Sequence, residues 1–170
     1  MVKLVLDSDV IIDYLRTGKG ALPVVLGLQE KGEAEACIST VTVMEILAGE
    51  SVVGEKRKNL DALVNELRVV SFDREVAALC ADLKRGRKLQ IALADLIIAA
   101  TAVSLAGKLV TRNRKHFVHS KLYDGRRNFA KMHHPHTGME IGKDVSDRLT
   151  KNLRKKSFSR FGNWSDDIIC

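Results

Sequence analysis

Three carboxylates and one side-chain amide lie in motifs that could together support a metal-dependent reaction. Asp7 closes the run VKLVLD, Glu45 lies in TVTVMEILAG, Asp95 interrupts IALADLIIAATAVSLA and Asn113 follows KLVT. A charge in an apolar segment is normally neutralised, paired or bound to a metal, because burying it alone costs on the order of several kcal/mol. Oxygen donors without Cys or His suit a hard cation such as Mg²⁺ or Mn²⁺. The sequence therefore predicts a site for metal-assisted hydrolysis, with the three acids as metal ligands.

Short apolar runs alternate with segments of helical periodicity, and this alternation must position those side chains. It favours an α/β fold with a parallel sheet covered by helices on both faces. Because sites in such sheets form at the carboxyl ends of the strands, we expect Asp7, Glu45, Asp95 and Asn113 to meet at one edge. The strands are predicted at Val2–Asp7, Ala36–Ser39, Arg68–Phe72 and Lys108–Thr111.

Each candidate residue also has a purely structural interpretation. Asp7 is a suitable cap for a helix beginning at Val10. Glu45 stands three residues after Thr42, which makes T-x-x-E a capping box. Asp95 is favoured by the dipole of a helix N-terminus, and Asn113 suits an N-cap of the RKHF turn. These alternatives stay open for each residue alone. Only the four residues taken together favour a metal site.

Composition narrows the class of protein. With 45% hydrophobic and 29% charged residues the chain is expected to be globular, and no apolar run is long enough for a membrane span. The start MVKLVLDSDVIID lacks the apolar core of a signal peptide, so a cytoplasmic location is expected. Cys37, Cys80 and Cys170 form no CxxC pair and are expected to be inert thiols.

The C-terminal part differs from the rest. Of the net charge of +7, residues 118–170 carry +5, from 11 Lys+Arg against 6 Asp+Glu. Such a basic segment favours a polyanionic partner or is simply a solvated surface. We therefore divide the chain into a domain at 1–117 and a basic segment at 118–170, which is either partly disordered or completes the edge of the domain. Within that segment SDRLTKNLRKKS has a weak helical pattern, and MHHPH is typical of a solvated loop.

The motifs LDSDVIIDYL, TVTVMEILAG, LADLIIAATAVSLAGKLVTRN and KHF, in this order, resemble those of the PIN-domain ribonucleases. They look most like the VapC-type toxins of prokaryotic toxin–antitoxin pairs, and they span about the first 117 residues. The resemblance implies a PIN-like sheet sandwiched between helices and Mg²⁺- or Mn²⁺-dependent endonucleolytic cleavage of RNA. It also implies a homodimer and a cognate antitoxin protein that inserts into the active-site groove.

Carried over by motif, Asp7, Glu45 and Asp95 correspond to the acidic metal ligands of the family, and Asn113 occupies the place of a fourth acid. The amide keeps an oxygen ligand but lacks the charge, so it suits contact with water or substrate. Residues beside these positions are expected to support the ligands or contact substrate. They are Ser8, Asp9, Thr111 and Arg112, of which Asp9 either adds a carboxylate or points away into a helix cap. The basic residues Lys84, Arg85, Arg87 and Lys88 precede the Asp95 helix and are candidates for the RNA backbone.

Two other functions compete with this one. LDSDVI resembles the DxD motif of haloacid-dehalogenase-type phosphatases. Near the C-terminus, Asp166 and Asp167 would mimic the closing metal ligands of those enzymes. However, Ile11 stands where that motif expects Thr or Val, and Asp95 is left without a role. The other alternative is a catalytically silent PIN-fold protein that binds RNA or a partner. Clustered carboxylates argue against it, since negative charge repels a polyanion.

Overall fold

In the described part of the chain, four strands form a parallel sheet with strand order β3-β2-β1-β4. The computed structural model describes residues 1–49, 52–87, 91–113 and 117. Within them the chain alternates strands and helices as the hydrophobic pattern predicts. The elements are β1 (Val2–Leu6), α1 (Ser8–Thr17), α2 (Ala21–Glu30), β2 (Ala34–Ser39), α3 (Thr40–Leu47), α4 (Gly54–Asn65), β3 (Arg68–Val70), α5 (Arg74–Arg87), α6 (Leu93–Ser104) and β4 (Lys108–Val110). The predicted α/β fold is confirmed.

Both faces of the sheet are buried, as expected for strands that are apolar throughout. Along β1, Leu4 and Leu6 pack into one core cluster and Val5 packs into the other, because successive side chains point to opposite faces. The first cluster includes buried side chains of α1, α2, α3 and α4. The second includes those of α5 and α6, among them Cys80. Cys37 and Cys80 are buried free thiols, and burial raises the pKa of both, which fits the prediction that they are inert.

A side chain completes the sheet where β3 is too short. Strand β3 pairs only with Cys37–Ser39, so the amide of Ala36 lies beyond it. Oε1 of Gln29 accepts that N–H at 2.7 Å, and its Nε2 donates to the Glu66 carbonyl at 3.0 Å. This one residue thereby ties α2 to β2 and to the end of α4.

Several predicted element ends are wrong by a few residues. Strands β1 and β4 end at Leu6 and Val110, one residue early, because the polar residues that follow turn into the candidate site. Strand β3 ends at Val70, since the amide of Phe72 donates to the Thr40 hydroxyl at 3.1 Å instead of pairing in the sheet. Helix α1 begins at Ser8 rather than Val10, because Asp7 caps it there.

No helix in the described part of the chain is long and apolar enough to cross a membrane. The predicted boundary between 117 and 118, the basic segment 118–170 and its weak helical pattern lie outside the described residues and stay predictions.

A candidate metal centre at the carboxyl edge of the sheet

Asp7 is the centre of the candidate site. It follows β1, is only 4% exposed, and is the N-cap of α1, with Oδ1 accepting the Ser8 amide at 2.7 Å. Oδ2 accepts a 2.8 Å hydrogen bond from the hydroxyl of Thr111, just past β4. The capping interpretation of Asp7 is therefore correct, and it leaves the carboxylate held between two adjacent strand ends.

Negative charge accumulates around this carboxyl group. Burial raises the pKa of Asp7 to about 7, with the charges of Asp9 and Asp95 adding to the increase and the hydrogen bonds from Thr111 and Ser8 opposing it. Because a raised carboxyl pKa reports an environment that disfavours the anion, a cation bound here would be electrostatically stabilised.

The segment that follows β4 is folded onto α1. The Thr111 hydroxyl accepts the Asn113 amide at 2.9 Å, and the Arg112 amide donates to Asp9 Oδ2 at 3.0 Å. Burial raises the pKa of Asp9, and the hydrogen bond from the Arg112 backbone opposes the increase. The structure thus gives Asp9 a third role, in which its carboxylate holds the segment that carries Thr111 and Asn113.

Asp13 is a neighbour of the site that the sequence reasoning missed. Arg112 Nη1 donates to Asp13 Oδ1 at 2.6 Å, and the Asp13 side chain is 17% exposed. The available signal was its position one turn after Asp9 on the same helix, since residues four apart share a helix face. Arg112 therefore contacts α1 through both its backbone and its guanidinium.

Glu45 lies on α3, which begins at the other strand end of the site. The N-cap of α3 is Ser39, whose hydroxyl accepts the Val41 amide at 3.1 Å. The capping box of Thr42 and Glu45 is therefore wrong, because Thr42 lies inside the helix and is fully buried. Among the described residues, the buried atoms Glu45 Oε2 and Thr42 Oγ1 have no hydrogen-bond partner. A buried carboxylate oxygen without a partner is unfavourable and calls for a ligand.

Asp95 lies in the first turn of α6, which begins at Leu93. The segment from Leu96 to Ala102 is buried, whereas Asp95 itself is partly exposed. The helix-dipole interpretation of Asp95 is compatible with this position, since the N-cap Ala92 supplies no side-chain cap. Its place at the start of the helix also keeps the carboxylate at the edge of the sheet.

The candidate ligands carry oxygen donors that fit a hard divalent cation, but their side chains are not gathered around one point. Within the described residues no group of three His, Cys, Asp or Glu side chains is assembled to hold a metal ion. The carboxylates of Asp7, Glu45 and Asp95 are the oxygen donors that Mg²⁺ and Mn²⁺ prefer. The buried Oε2 of Glu45 has no hydrogen-bond partner among the described residues, and a cation would supply one.

The basic residues before α6 are only partly described. Lys84 and Arg85 are exposed near the end of α5, and Arg85 forms a 3.3 Å ion pair with Asp82. Arg87 is the last residue of α5, its side chain is not described, and Lys88 lies outside the described residues. Their contact with a polyanion stays a prediction.

Comparison with known proteins agrees with this architecture. The family model of the PIN domain matches residues 4–121. The chain belongs to the PIN-domain family, and PIN domains generally use divalent metal ions. None of the curated proteins compared with the chain matches it significantly.

The solved structures that resemble the chain are toxin–antitoxin complexes. FitAcB from Neisseria gonorrhoeae is similar at 27% identity and a TM-score of 0.53, over 69% of this chain and 93% of the other. VapBC2 from Rickettsia felis, bound to a DNA fragment from its promoter, is 23% identical with a TM-score of 0.58, over 69% and 92%. DNA-bound VapBC from Salmonella typhimurium is 24% identical with a TM-score of 0.56, also over 69% and 92%. The last two show the fold alone, and the first agrees with the toxin-type resemblance of the sequence.

Proposed function

We propose that this chain is a metal-dependent endoribonuclease and the toxin of a toxin–antitoxin pair acting in the cytoplasm. One observation carries the proposal. In a nuclease family, the buried Asp7 carboxyl lies where parallel strands end, and its pKa is raised to about 7 by burial and by the charges of Asp9 and Asp95. A site meant only to bind RNA would gain nothing from negative charge facing the phosphates.

Asp7, Glu45 and Asp95 hold the Mg²⁺ or Mn²⁺ ion in this proposal. When bound, the ion neutralises the phosphodiester and activates the attacking water. The chain's own residues prepare the site: Thr111 fixes the orientation of the Asp7 carboxylate through its 2.8 Å hydrogen bond. The buried Oε2 of Glu45, which has no hydrogen-bond partner among the described residues, is available to the cation.

The remaining polar residues serve the substrate. The backbone N–H of Asn113 donates a hydrogen bond to the Thr111 hydroxyl, which in turn bonds Asp7. In this proposal Asn113 offers its neutral side chain to water or to the ribose-phosphate. Lys84, Arg85, Arg87 and Lys88 contact the RNA backbone ahead of the Asp95 helix, where a positive charge stabilises phosphates irrespective of base sequence. The products carry a 5′-phosphate and a 3′-hydroxyl, as the family resemblance implies.

An antitoxin protein and a second copy of the chain are the proposed protein partners. The similarity to FitAcB from Neisseria gonorrhoeae, at 27% identity over 69% of the chain, supports an antitoxin partner. We propose that the antitoxin inserts into the groove at Asp7, Glu45 and Asp95 and that the toxin is a homodimer.

A catalytically silent PIN-fold protein is the second candidate. It is favoured by one observation, the lack of a preassembled group of three metal-ligating side chains among the described residues. The haloacid-dehalogenase alternative is not favoured, because Asp9, its required general acid, is engaged by the Arg112 amide. Membership of the PIN-domain family also speaks against it.

Cleavage of RNA by purified, antitoxin-free protein tests the proposal. The wild type is incubated with a structured RNA pool in Mg²⁺ or in chelator, and the product ends are mapped. We expect cleavage that requires the metal, leaves 5′-phosphates and is absent in Asp7→Asn. RNA binding without cleavage under these conditions would instead favour the silent protein.

A further inference from the structure

Side chains accept the two amides after β4. The pairing of β4 with β1 ends at Val110, and within the described part of the chain no strand pairs with Arg112 or Asn113. The Asn113 amide is accepted by the Thr111 hydroxyl at 2.9 Å. The Arg112 amide is shared between both oxygens of Asp9, at 3.0 Å from Oδ2 and 3.3 Å from Oδ1. Asp9 therefore supplies the acceptor that this backbone amide needs.

A second contact holds the same segment one helical turn further along α1. Asp13 Oδ1 accepts from Arg112 Nη1 at 2.6 Å, with the guanidinium side chain 53% exposed and the Asp13 side chain 17% exposed. Residues four apart lie on one face of a helix, about 6 Å apart along its axis. The backbone and the side chain of Arg112 thus reach two successive turns of the helix that Asp7 caps.

Asp9 has little freedom to serve as a metal ligand in this arrangement. Its Oδ2 is also 3.4 Å from the Thr111 hydroxyl, so both of its oxygens face the segment after β4. Turning the carboxylate towards a cation would leave the Arg112 amide without its acceptor. The 3.4 Å contact between Asp9 Oδ2 and the Thr111 hydroxyl, which orients Asp7, would be lost as well.

We propose that Asp9 and Asp13 form a two-point anchor for residues 111–113, and that Asp9 is a positioning residue rather than a metal ligand. The anchor, defined by these two acids, acts through Thr111, which it holds against Asp7. This inference rests on the proposed function, since the placement of Asp7 matters for catalysis only if Asp7 holds the metal.

Asp9→Asn and Asp9→Ala separate the two roles. Asn keeps one oxygen to accept the Arg112 amide and removes the charge, whereas Ala removes the acceptor altogether. In hydrogen-exchange measurements we expect the amides of residues 111–113 to exchange about tenfold faster or more in Asp9→Ala, and to stay protected in Asp9→Asn. For a positioning residue, Mn²⁺ affinity and cleavage fall about 10- to 100-fold in Asp9→Ala and no more than about threefold in Asp9→Asn.

Asp7→Asn is the matched control, because it replaces a proposed ligand by the same amide two residues away. The anchor is overturned if Asp9→Asn weakens Mn²⁺ binding as much as Asp7→Asn does. It is also overturned if Asp9→Ala leaves the exchange of residues 111–113 unchanged. If the wild type neither binds Mn²⁺ nor cleaves RNA, the proposed function fails, while the exchange data still decide whether the anchor exists.

The second point of the anchor is tested with Arg112→Ala, Asp13→Ala and the double variant. If the two side chains act on the segment only through each other, each single change and the double change accelerate exchange at 111–113 by the same factor. Additive effects would contradict that pairing and remove Asp13 from the anchor.

Discussion

The hydroxyl of Thr111 donates a 2.8 Å hydrogen bond to Oδ2 of Asp7, although the residues are 104 positions apart in the chain. Strands β1 and β4 are parallel neighbours with Leu6 opposite Val110, so the residues that follow them lie side by side. The same hydroxyl accepts the Asn113 amide at 2.9 Å. A small polar side chain thereby links the first and last described strands of the sheet to the candidate metal ligand.

Thr111→Val removes this link with little change in shape. We expect the free energy of unfolding to fall by about 1–3 kcal/mol, because the buried Asp7 oxygen and the Asn113 amide each lose a partner. Thr111→Ser keeps the hydroxyl, so its free energy of unfolding should fall clearly less. Urea denaturation in chelator measures both variants, and equal losses would show that the methyl group rather than the hydroxyl matters.

The pH dependence of stability should report the Asp7 carboxyl in metal-free protein. Its pKa is raised from 3.8 to about 7, so the folded state binds a proton more tightly than the unfolded state between these values. Stability from this group is therefore fully present below about pH 4 and is lost as pH rises through about 7. We expect Asp7→Asn, which keeps a capping side chain, to be more stable than the wild type at pH 8 and not at pH 4.

Chemical denaturation across pH 4–8 in chelator measures this difference. The exposed Asp61, paired with Arg57 on α4, provides the control Asp61→Asn, which should show no comparable trend. A constant difference between wild type and Asp7→Asn over this range would mean that the Asp7 carboxyl titrates near its ordinary value.

Glu45→Gln should separate metal binding from folding. The variant removes the charge from a side chain whose buried Oε2 has no partner among the described residues, so stability in chelator should stay within about 1 kcal/mol or rise. Stabilisation by Mn²⁺ should shrink, because the free energy that a ligand at concentration c adds to the folded state, RT ln(1 + c/Kd), falls as its affinity falls. Thermal unfolding with and without Mn²⁺ measures both effects.

The control for that measurement is Glu55→Gln, at an exposed position in the first turn of α4. It should leave the increase in melting temperature with Mn²⁺ as large as in the wild type. If Glu45→Gln behaves like Glu55→Gln, Glu45 is not a metal ligand.

Gln29→Leu should destabilise the sheet without touching the site. The change removes the acceptor of the Ala36 amide, at 2.7 Å, and the donor to the Glu66 carbonyl. We expect a loss of about 1–3 kcal/mol, because the amide is left without a partner between strands. Urea denaturation measures it. A loss below about 0.5 kcal/mol would mean that water replaces the side chain.

The sequence predicted the parts of the fold that depend on hydrophobic periodicity. The apolar runs around Leu4, Ile38 and Leu109 are typical of strands in a sheet buried on both faces, and the structure confirms this. The family follows from the order of the acidic motifs, and the family match to residues 4–121 confirms it. That Asp7, Glu45 and Asp95 bind metal stays a prediction.

Side-chain partners were harder to predict than elements. The pairing of Thr42 with Glu45 is a valid local pattern, but Ser39 caps the helix because β2 continues to it. The role of Asp9 depends on an Arg112 amide more than a hundred residues away, and a backbone donor leaves no mark in the sequence. The local pattern thus identified the Asp7 cap but not the Ser39 cap, and long-range contacts to the backbone stay hidden until the strand order is known.

Single-turnover cleavage of RNA by Asp95→Asn tests the central claim most directly, since this partly exposed carboxylate in the first turn of α6 is one of the three proposed metal ligands. Wild type, Asp95→Asn and the control Asp61→Asn are compared in Mg²⁺ and in chelator. The account predicts metal-dependent cleavage by the wild type and by Asp61→Asn, and a loss of about 100-fold or more in Asp95→Asn. Cleavage by Asp95→Asn that is as fast as that of the wild type would contradict the account. So would preparations that remain active in chelator.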